Sequence, residues 1–82
     1  MTLDPDIVVI EAPVDANIWK VQVEDGGDIA ANQVITILEA MKLEINVNAP
    51  EDLKEAKVEK LLVAPGDAIK AGEKLALLRK KS

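Results

Sequence analysis

The chain has 82 residues, a formal net charge of −5, no cysteine, no histidine and a single serine, which is its last residue. The length suits one small domain, and a hydrophobic content of 49% predicts a packed core of Val, Ile, Leu and Ala. These absences exclude disulfides, thiolate metal sites and Ser–His–Asp or Cys–His nucleophilic centres. We therefore expect neither a catalytic site nor a metal site in this chain.

The acidic balance also argues against nucleic-acid binding, because no basic patch interleaved with aromatic side chains offsets it. No apolar run reaches the roughly 20 residues that cross a bilayer, and no signal pattern opens the chain. We expect no membrane association and a cytoplasmic location, which the missing cysteines permit.

Short apolar runs separated by turn residues predict strands through the first half of the chain. In the second predicted strand, alternation places Trp19, Val21 and Val23 on one face. We interpret Trp19 as a core or edge packing residue rather than a functional contact. The predicted strand that follows Lys42 alternates in the same way, with Leu43, Ile45 and Val47 on one face. The predicted strands cover residues 7–10, 18–23, 34–39 and 43–48, with a fragment at 29–31.

The second half repeats the first. Gly26 returns as Gly66, an offset of 40 residues, and Ala12-Pro13 returns as Ala49-Pro50 at an offset of 37. Asn32 falls opposite Gly72, which predicts positive φ at both turns. At the offset of 40, Ile35 and Ile37 match Leu75 and Leu77, and these four side chains are predicted to point inward. We interpret residues 51–57 as a surface loop and Arg79-Lys80-Lys81 as a solvated tail.

A duplicated strand-rich unit predicts an all-β fold with internal pseudo-two-fold symmetry. Each half alone would expose its apolar face, so the halves are expected to pack as a flattened β-barrel or sandwich. Residues 1–6 are interpreted as a flexible lead-in, residues 7–80 as the domain and residues 81–82 as a tail. The repeat places the hairpin that contains Lys42 at the opposite end of the body from the two termini.

The stretch at the junction of the halves is Glu39-Ala40-Met41-Lys42-Leu43. It resembles the biotin-attachment motif of the biotinyl/lipoyl domain family, and the wider resemblance spans roughly residues 7 to 79. The family most often has Met where this chain has Leu43. A domain of two four-stranded antiparallel sheets, with the modified lysine at a hairpin tip, is what the resemblance implies. Residues 16–20 and 37–45 are most similar to carriers of the urea carboxylase and urea amidolyase subfamily.

The resemblance implies that biotin is attached covalently to Lys42 and carries a carboxyl group from a biotin carboxylase site to a carboxyltransferase site. The implied partners are biotin protein ligase, as a separate protein, and those two catalytic domains, which are expected in the same polypeptide as this chain. Ala40, Met41 and Leu43 complete the attachment motif. Glu39 and Glu44 are either carboxylates that the ligase recognises or solubilising edge charges, and Met41 could also fill the core.

Two alternatives have the same fold. A lipoyl carrier of a dehydrogenase complex also needs a lysine at the tip, but its motif usually has Asp at the position of Met41. An unmodified domain with a purely structural role would not need the motif around Lys42.

Overall fold

The computed structural model describes residues 5–81, in which all regular structure is β-strand. The strands are β1 (Ile7–Glu11), β2 (Ala16–Val21), β3 (Asp28–Ala30), β4 (Val34–Ala40), β5 (Leu43–Asn48), β6 (Glu55–Leu61), β7 (Ala68–Ile69) and β8 (Lys74–Lys80). No helix long and apolar enough to cross a membrane occurs among these described residues.

The strands form two four-stranded antiparallel sheets, with the orders β1-β8-β6-β3 and β5-β4-β2-β7. The two orders become identical when each strand is matched to the one four places along the chain: β1 with β5, β2 with β6, β3 with β7 and β4 with β8. β4 and β8 differ by the predicted offset, since adding 40 to each number of Val34–Ala40 gives Lys74–Lys80. The predicted all-β fold with two sheets and pseudo-two-fold symmetry is confirmed.

The core lies between the two sheets, and both halves supply it. Burying one Leu or Ile side chain contributes about 1.5–3 kcal/mol, so this aliphatic layer can hold the sheets together without Phe or Tyr. Its largest fully buried apolar side chains are Ile18, Ile35 and Leu38 from one sheet and Val58, Leu75 and Leu78 from the other.

β-Bulges change which side chains of β4 and β8 face this core. The extra residues are Ile35 in β4 and Leu75 in β8, as the pairing register shows. Both are 0% exposed, as predicted. The prediction that Ile37 and Leu77 point inward is wrong, because alternation restarts after each bulge. Both are only half-buried, and the core positions belong to the residues that follow them, Leu38 and Leu78.

A third bulge places Trp19 on the sheet surface and excludes the core interpretation of this residue. Ile18 pairs with Leu38 and Lys20 pairs with Ile37, so Trp19 is the extra residue of β2. Ile18 takes the core position, whereas Trp19 is 41% exposed. The Lys20 Nζ atom lies 4.4 Å from the centroid of the Trp19 ring, a cation–π contact on the sheet surface. Trp19 is therefore not a core residue.

Two predictions in the second half are also wrong. Residues 51–57 are not all loop: β6 begins at Glu55, Ala56 is fully buried and Leu53 is nearly so. Arg79 and Lys80 are not a solvated tail, since they complete β8. The sequence pattern did not indicate these parts of β6 and β8, because their charged side chains face solvent although their backbones pair.

The two ends of the described chain lie side by side, since the Lys80 N–H donates to the Asp6 carbonyl over 2.8 Å. β8 begins beside the β4–β5 turn, because Glu73 lines the same surface depression as Met41. Its seven residues then carry the chain roughly 20 Å away. The ends and that turn therefore lie at opposite ends of the body, as predicted. Residues 1–4 of the lead-in and Ser82 of the tail fall outside the described residues.

Candidate functional site at the β4–β5 turn

Met41 and Lys42 form the two-residue turn between β4 and β5. Their φ angles are +51° and +68°, so both residues have left-handed backbones. Two positive φ angles in a two-residue hairpin loop are the type I′ pattern, which favours Asn-Gly. An L side chain there costs about 1–2 kcal/mol per residue. Backbone strain of this kind is concentrated at functional sites. Apart from the absence of Gly, no residue type in the turn indicates it.

The turn extends beyond the core. Along β5 the exposed fraction rises from 8% at Val47, through the half-buried Ile45, to 66% at Leu43. This confirms the predicted alternation, and it shows that the inner face runs out of packing partners towards the turn. Met41 is 94% exposed, so it is not a core residue. Two large apolar side chains therefore flank Lys42 in solvent.

The Lys42 side chain is exposed and has no hydrogen bond or ion pair with any of the described residues. Ala40, which precedes the turn, is half-buried and pairs with Leu43 across the hairpin. The amine is thus accessible to another molecule, while the strand pairing beneath it fixes the backbone.

Glu39 and Glu44 face each other directly across the hairpin. Their neighbours in β4 and β5, Leu38 and Ile45, point towards the core, so both carboxylates lie on the outer face of the sheet. Directly opposed residues have Cβ atoms about 5 Å apart, and like charges at that spacing oppose pairing. Neither carboxylate has an ion-pair partner among the described residues. Sequence reasoning named both residues but missed that they pair with each other.

A depression of about 520 Å³ lies beside the turn. The apolar residues that line it are Ala16, Ala40, Met41, Ala68 and Ile69, of which Ile69 is only 3% exposed. Asn17 and Glu39, which pair across β2 and β4, add polar groups, as do Asp15, Lys70 and Glu73. The side chains of Asn17 and Glu39 have no hydrogen-bond partner within residues 5–81, whereas Asp15 accepts from the Ala71 N–H.

The counterpart of this depression, at the other end of the molecule, contains an ion pair. Lys81 Nζ lies 2.9 Å from Asp28 Oδ1. The hydrogen bond from Lys81, and then its charge, lower the pKa of Asp28 below its usual 3.8, and the same bond raises the pKa of Lys81 above 10.5. At the offset of 40 residues, Met41 and Ala68 replace Lys81 and Asp28. Neither can form an ion pair, so the depression beside Lys42 is not bridged in this way.

No group of three or more acidic, His or Cys side chains that could hold a metal ion occurs within residues 5–81. The chemistry that this end of the molecule offers is that of one accessible amine between two exposed apolar side chains and two carboxylates. Such an amine can form an amide with an activated carboxyl group once it loses its proton.

Comparison with known proteins assigns this arrangement to a family. Residues 5–78 match the family described as "Biotin-requiring enzyme". The chain is 53% identical over 77 residues to a putative urea carboxylase from Emericella nidulans, and that match covers 94% of this chain and 6% of the relative. It is 35% identical over 69 residues to a biotinylated protein, the TB7.3 homolog of Mycobacterium leprae, over 84% of this chain and 93% of the relative.

Domains of two solved carboxylase structures have a similar fold. A single-chain, multi-domain long-chain acyl-CoA carboxylase matches with a TM-score of 0.83 and 26% identity, over 99% of this chain and 8% of the other. The urea carboxylase of Kluyveromyces lactis matches with a TM-score of 0.80 and 29% identity, over 95% of this chain and 7% of the other. The chain thus spans less than a tenth of the length of these carboxylases. By its sequence and its fold, the chain belongs to the biotin/lipoyl-attachment family of biotin-requiring enzymes.

Proposed function

We propose that residues 7–80 form a biotin carboxyl carrier domain in which biotin is attached covalently to Lys42. The observation that carries this proposal is an exposed amine, without an ion pair among residues 5–81, in a strained two-residue turn within a family of biotin-requiring enzymes. The residues of the β4–β5 turn are compatible with attached biotin, because amide formation needs one accessible amine and leaves the rest of the turn unchanged. Met41 favours biotin over lipoate, whose attachment motif usually has Asp at this position.

The chain positions the attachment point. Pairing of Ala40 with Leu43 fixes the direction in which Lys42 leaves the sheet. Biotin attached to Lys42 would supply the chemistry of carrying a carboxyl group between two active sites. The domain tethers that group and raises its effective concentration at both sites.

The ligase that modifies Lys42 would recognise the surface around it. Met41 and Leu43 offer apolar contacts, because both are largely exposed. Glu39 and Glu44 offer two carboxylates on one face that have no ion-pair partner within residues 5–81, and these suit a basic surface on the ligase. Leu43 is similar in size to the Met that the family usually has there, so we expect modification to be slower or altered but not lost.

The proposed partners of the carrier are a biotin carboxylase and a carboxyltransferase within the same polypeptide. The lengths of the matched carboxylases support this, since the matched region is a small part of each. We propose urea as the carboxyl acceptor, because the match to the putative urea carboxylase is 53% identical. A cytoplasmic location remains a prediction.

The attachment site is tested by co-expressing the chain with a biotin ligase and measuring its intact mass. We expect the increment of one biotinyl group in the native chain and none in Lys42→Arg, which keeps the charge but cannot form the amide. The matched control is Lys54→Arg, at an exposed lysine away from the turn, which should be biotinylated in full. An unmodified native chain beside an active ligase would refute the proposal, and a lipoyl increment would favour the lipoyl alternative.

The acceptor is tested separately. The biotinylated chain is loaded with labelled carboxyl groups by a biotin carboxylase and then mixed with the carboxyltransferase part of a urea carboxylase or of an acyl-CoA carboxylase. We expect label to leave the chain faster with the urea enzyme and urea than with the acyl-CoA pair. Equal or reversed rates would contradict urea as the acceptor and leave the biotin proposal standing.

A further inference from the structure

We propose that the depression beside Lys42 is a resting site for the ring of the biotin attached to that lysine. The inference rests on the proposed attachment to Lys42 and adds a second contact between biotin and the domain. Three observations carry it: the position of the depression, the composition of its surface, and the ion pair that bridges only its counterpart.

Position is the first argument. Met41 and Ala40, the two residues before Lys42, both line the depression. A group tethered to Lys42 therefore remains close to it. The volume of about 520 Å³ lies within the 300–1,000 Å³ range of small-molecule sites. The depression is shallow and open, so the affinity for the ring is expected to be weak.

Weak affinity suffices because the ligand is tethered. A short flexible linker gives an effective concentration on the order of millimolar. A ring that binds with a dissociation constant of about 1 mM would therefore occupy the depression about half of the time. Half occupancy protects the group between active sites and still allows its release.

Composition is the second argument. The bicyclic ring of biotin has an apolar thioether edge and a ureido edge with two N–H donors and one carbonyl acceptor. Met41 and Ala68, which are exposed, and the half-buried Ala16 provide the apolar surface. Asn17 can donate to the ureido carbonyl and Glu39 can accept from an N–H group. Both side chains lack a hydrogen-bond partner within the described residues, so both are available.

The symmetry-related end supplies the third argument. There Lys81 bridges to Asp28, and the corresponding positions beside Lys42 hold Met41 and Ala68. The same fold thus carries a bridging ion pair at the end where Ser82 corresponds in sequence to Lys42, and two uncharged residues beside Lys42 itself. Without that bridge, the depression beside Lys42 is open to a ligand.

The test compares amide chemical shifts in the unmodified and the biotinylated chain. The isolated chain is suitable for this measurement, because it has its own hydrophobic core and its match covers 93% of the length of the M. leprae relative. We expect biotinylation to shift the amides of Asn17, Ala68 and Lys70 as well as those of the turn. We also expect proton–proton contacts between the biotin ring and the Ala68 methyl group. Shifts confined to residues 40–43, without those contacts, would overturn the inference.

A matched pair of variants sharpens the test. Ala68→Arg places a long side chain in the depression and should abolish the distant shifts. Ala30→Arg makes the same change on β3, beside the symmetry-related ion pair, and should leave them in place. Avidin should bind the native biotinylated chain about two-fold more slowly than biotinylated Ala68→Arg, since only the undocked half is accessible. Equal avidin rates would count against docking.

These outcomes separate the two proposals. A chain that gains no mass with an active ligase refutes the attachment of biotin. A chain that gains the biotinyl mass at Lys42 but shows no shifts beyond the turn refutes only the resting site.

Discussion

The two halves of the molecule share most of their interior and differ more on their surfaces. Fully buried side chains occupy equivalent core positions, Ile35 with Leu75 and Leu38 with Leu78. On the outer face of one sheet, Arg79 Nε lies 2.7 Å from Glu59 Oε2. The equivalent residues of the other sheet are Glu39 and Trp19, which cannot form that ion pair.

This difference shows which features serve the fold and which serve the function. The core and the turns need the repeat, because each half covers the apolar face of the other. The repeat is broken around Lys42, where the ion-paired residues are replaced by a half-exposed Trp, an exposed Met and a carboxylate without an ion pair in the described part of the chain. Exposed apolar and unpaired charged side chains add nothing to folding, and their concentration at one end indicates an interaction surface.

The largest expected effect tests whether the two halves contribute equally to the core. Leu38→Ala and Leu78→Ala each remove a side chain that is 0% exposed, and each should lower the free energy of unfolding by about 2–5 kcal/mol. Urea denaturation of the two variants measures this. The losses should agree to within about 1 kcal/mol, and a much larger gap would mean that one sheet dominates the core. Leu62→Ala, at a partly exposed side chain, is the control and should cost less.

A smaller effect tests the equivalent turns at Asn32 and Gly72, whose φ angles are +63° and +85°. Gly72→Ala should lower the free energy of unfolding by about 1 kcal/mol, because a Cβ there meets no atom within 4 Å and only the backbone is strained. Gly72→Asn should cost about half as much, since Asn tolerates this region and already occupies the equivalent turn. Equal losses in thermal denaturation would contradict this explanation.

The smallest effect concerns a polar group on one side of the core only. Thr36 is fully buried, and its hydroxyl has no hydrogen-bond partner among the described residues, whereas Ala76 occupies the equivalent position. Thr36→Val should raise the free energy of unfolding by about 1 kcal/mol, because it removes an unsatisfied hydroxyl at nearly constant volume. Thr36→Ala, the control, also loses a methyl group and should gain less. A destabilised Thr36→Val would indicate that the hydroxyl is satisfied in solution.

The sequence predicted the features that depend on composition and on the repeat. Both the paired turns at Asn32 and Gly72 and the hairpin around Lys42 followed from residue types at an offset of 40. The predicted faces were wrong at Ile37 and Leu77, because a bulge shifts the two-residue period by one. No residue type marks a bulge, so the sequence pattern placed Trp19 with Val21 and missed Ile18 as the core residue of β2.

At the candidate site, sequence reasoning identified the lysine and its neighbours but not their arrangement. The pairing of Glu39 with Glu44 depends on a two-residue turn, and neither Gly nor Asn is present to indicate one. The depression was missed entirely, since residues from β2, β4 and β7 meet there through tertiary pairing. Only the comparison of Asp28 and Lys81 with Ala68 and Met41 could have suggested it from the sequence.

The hydrogen bond between Lys80 and Asp6 has a mechanical consequence. When this unit sits inside a longer polypeptide, both flanking segments join it at the same end. The domain can therefore rotate as a rigid body about that end. Its longest dimension is 39 Å, and Lys42 lies at the far end. A modest rotation at the flanking segments would swing the lysine along an arc with a radius of that order, before the flexibility of its own side chain adds to the reach.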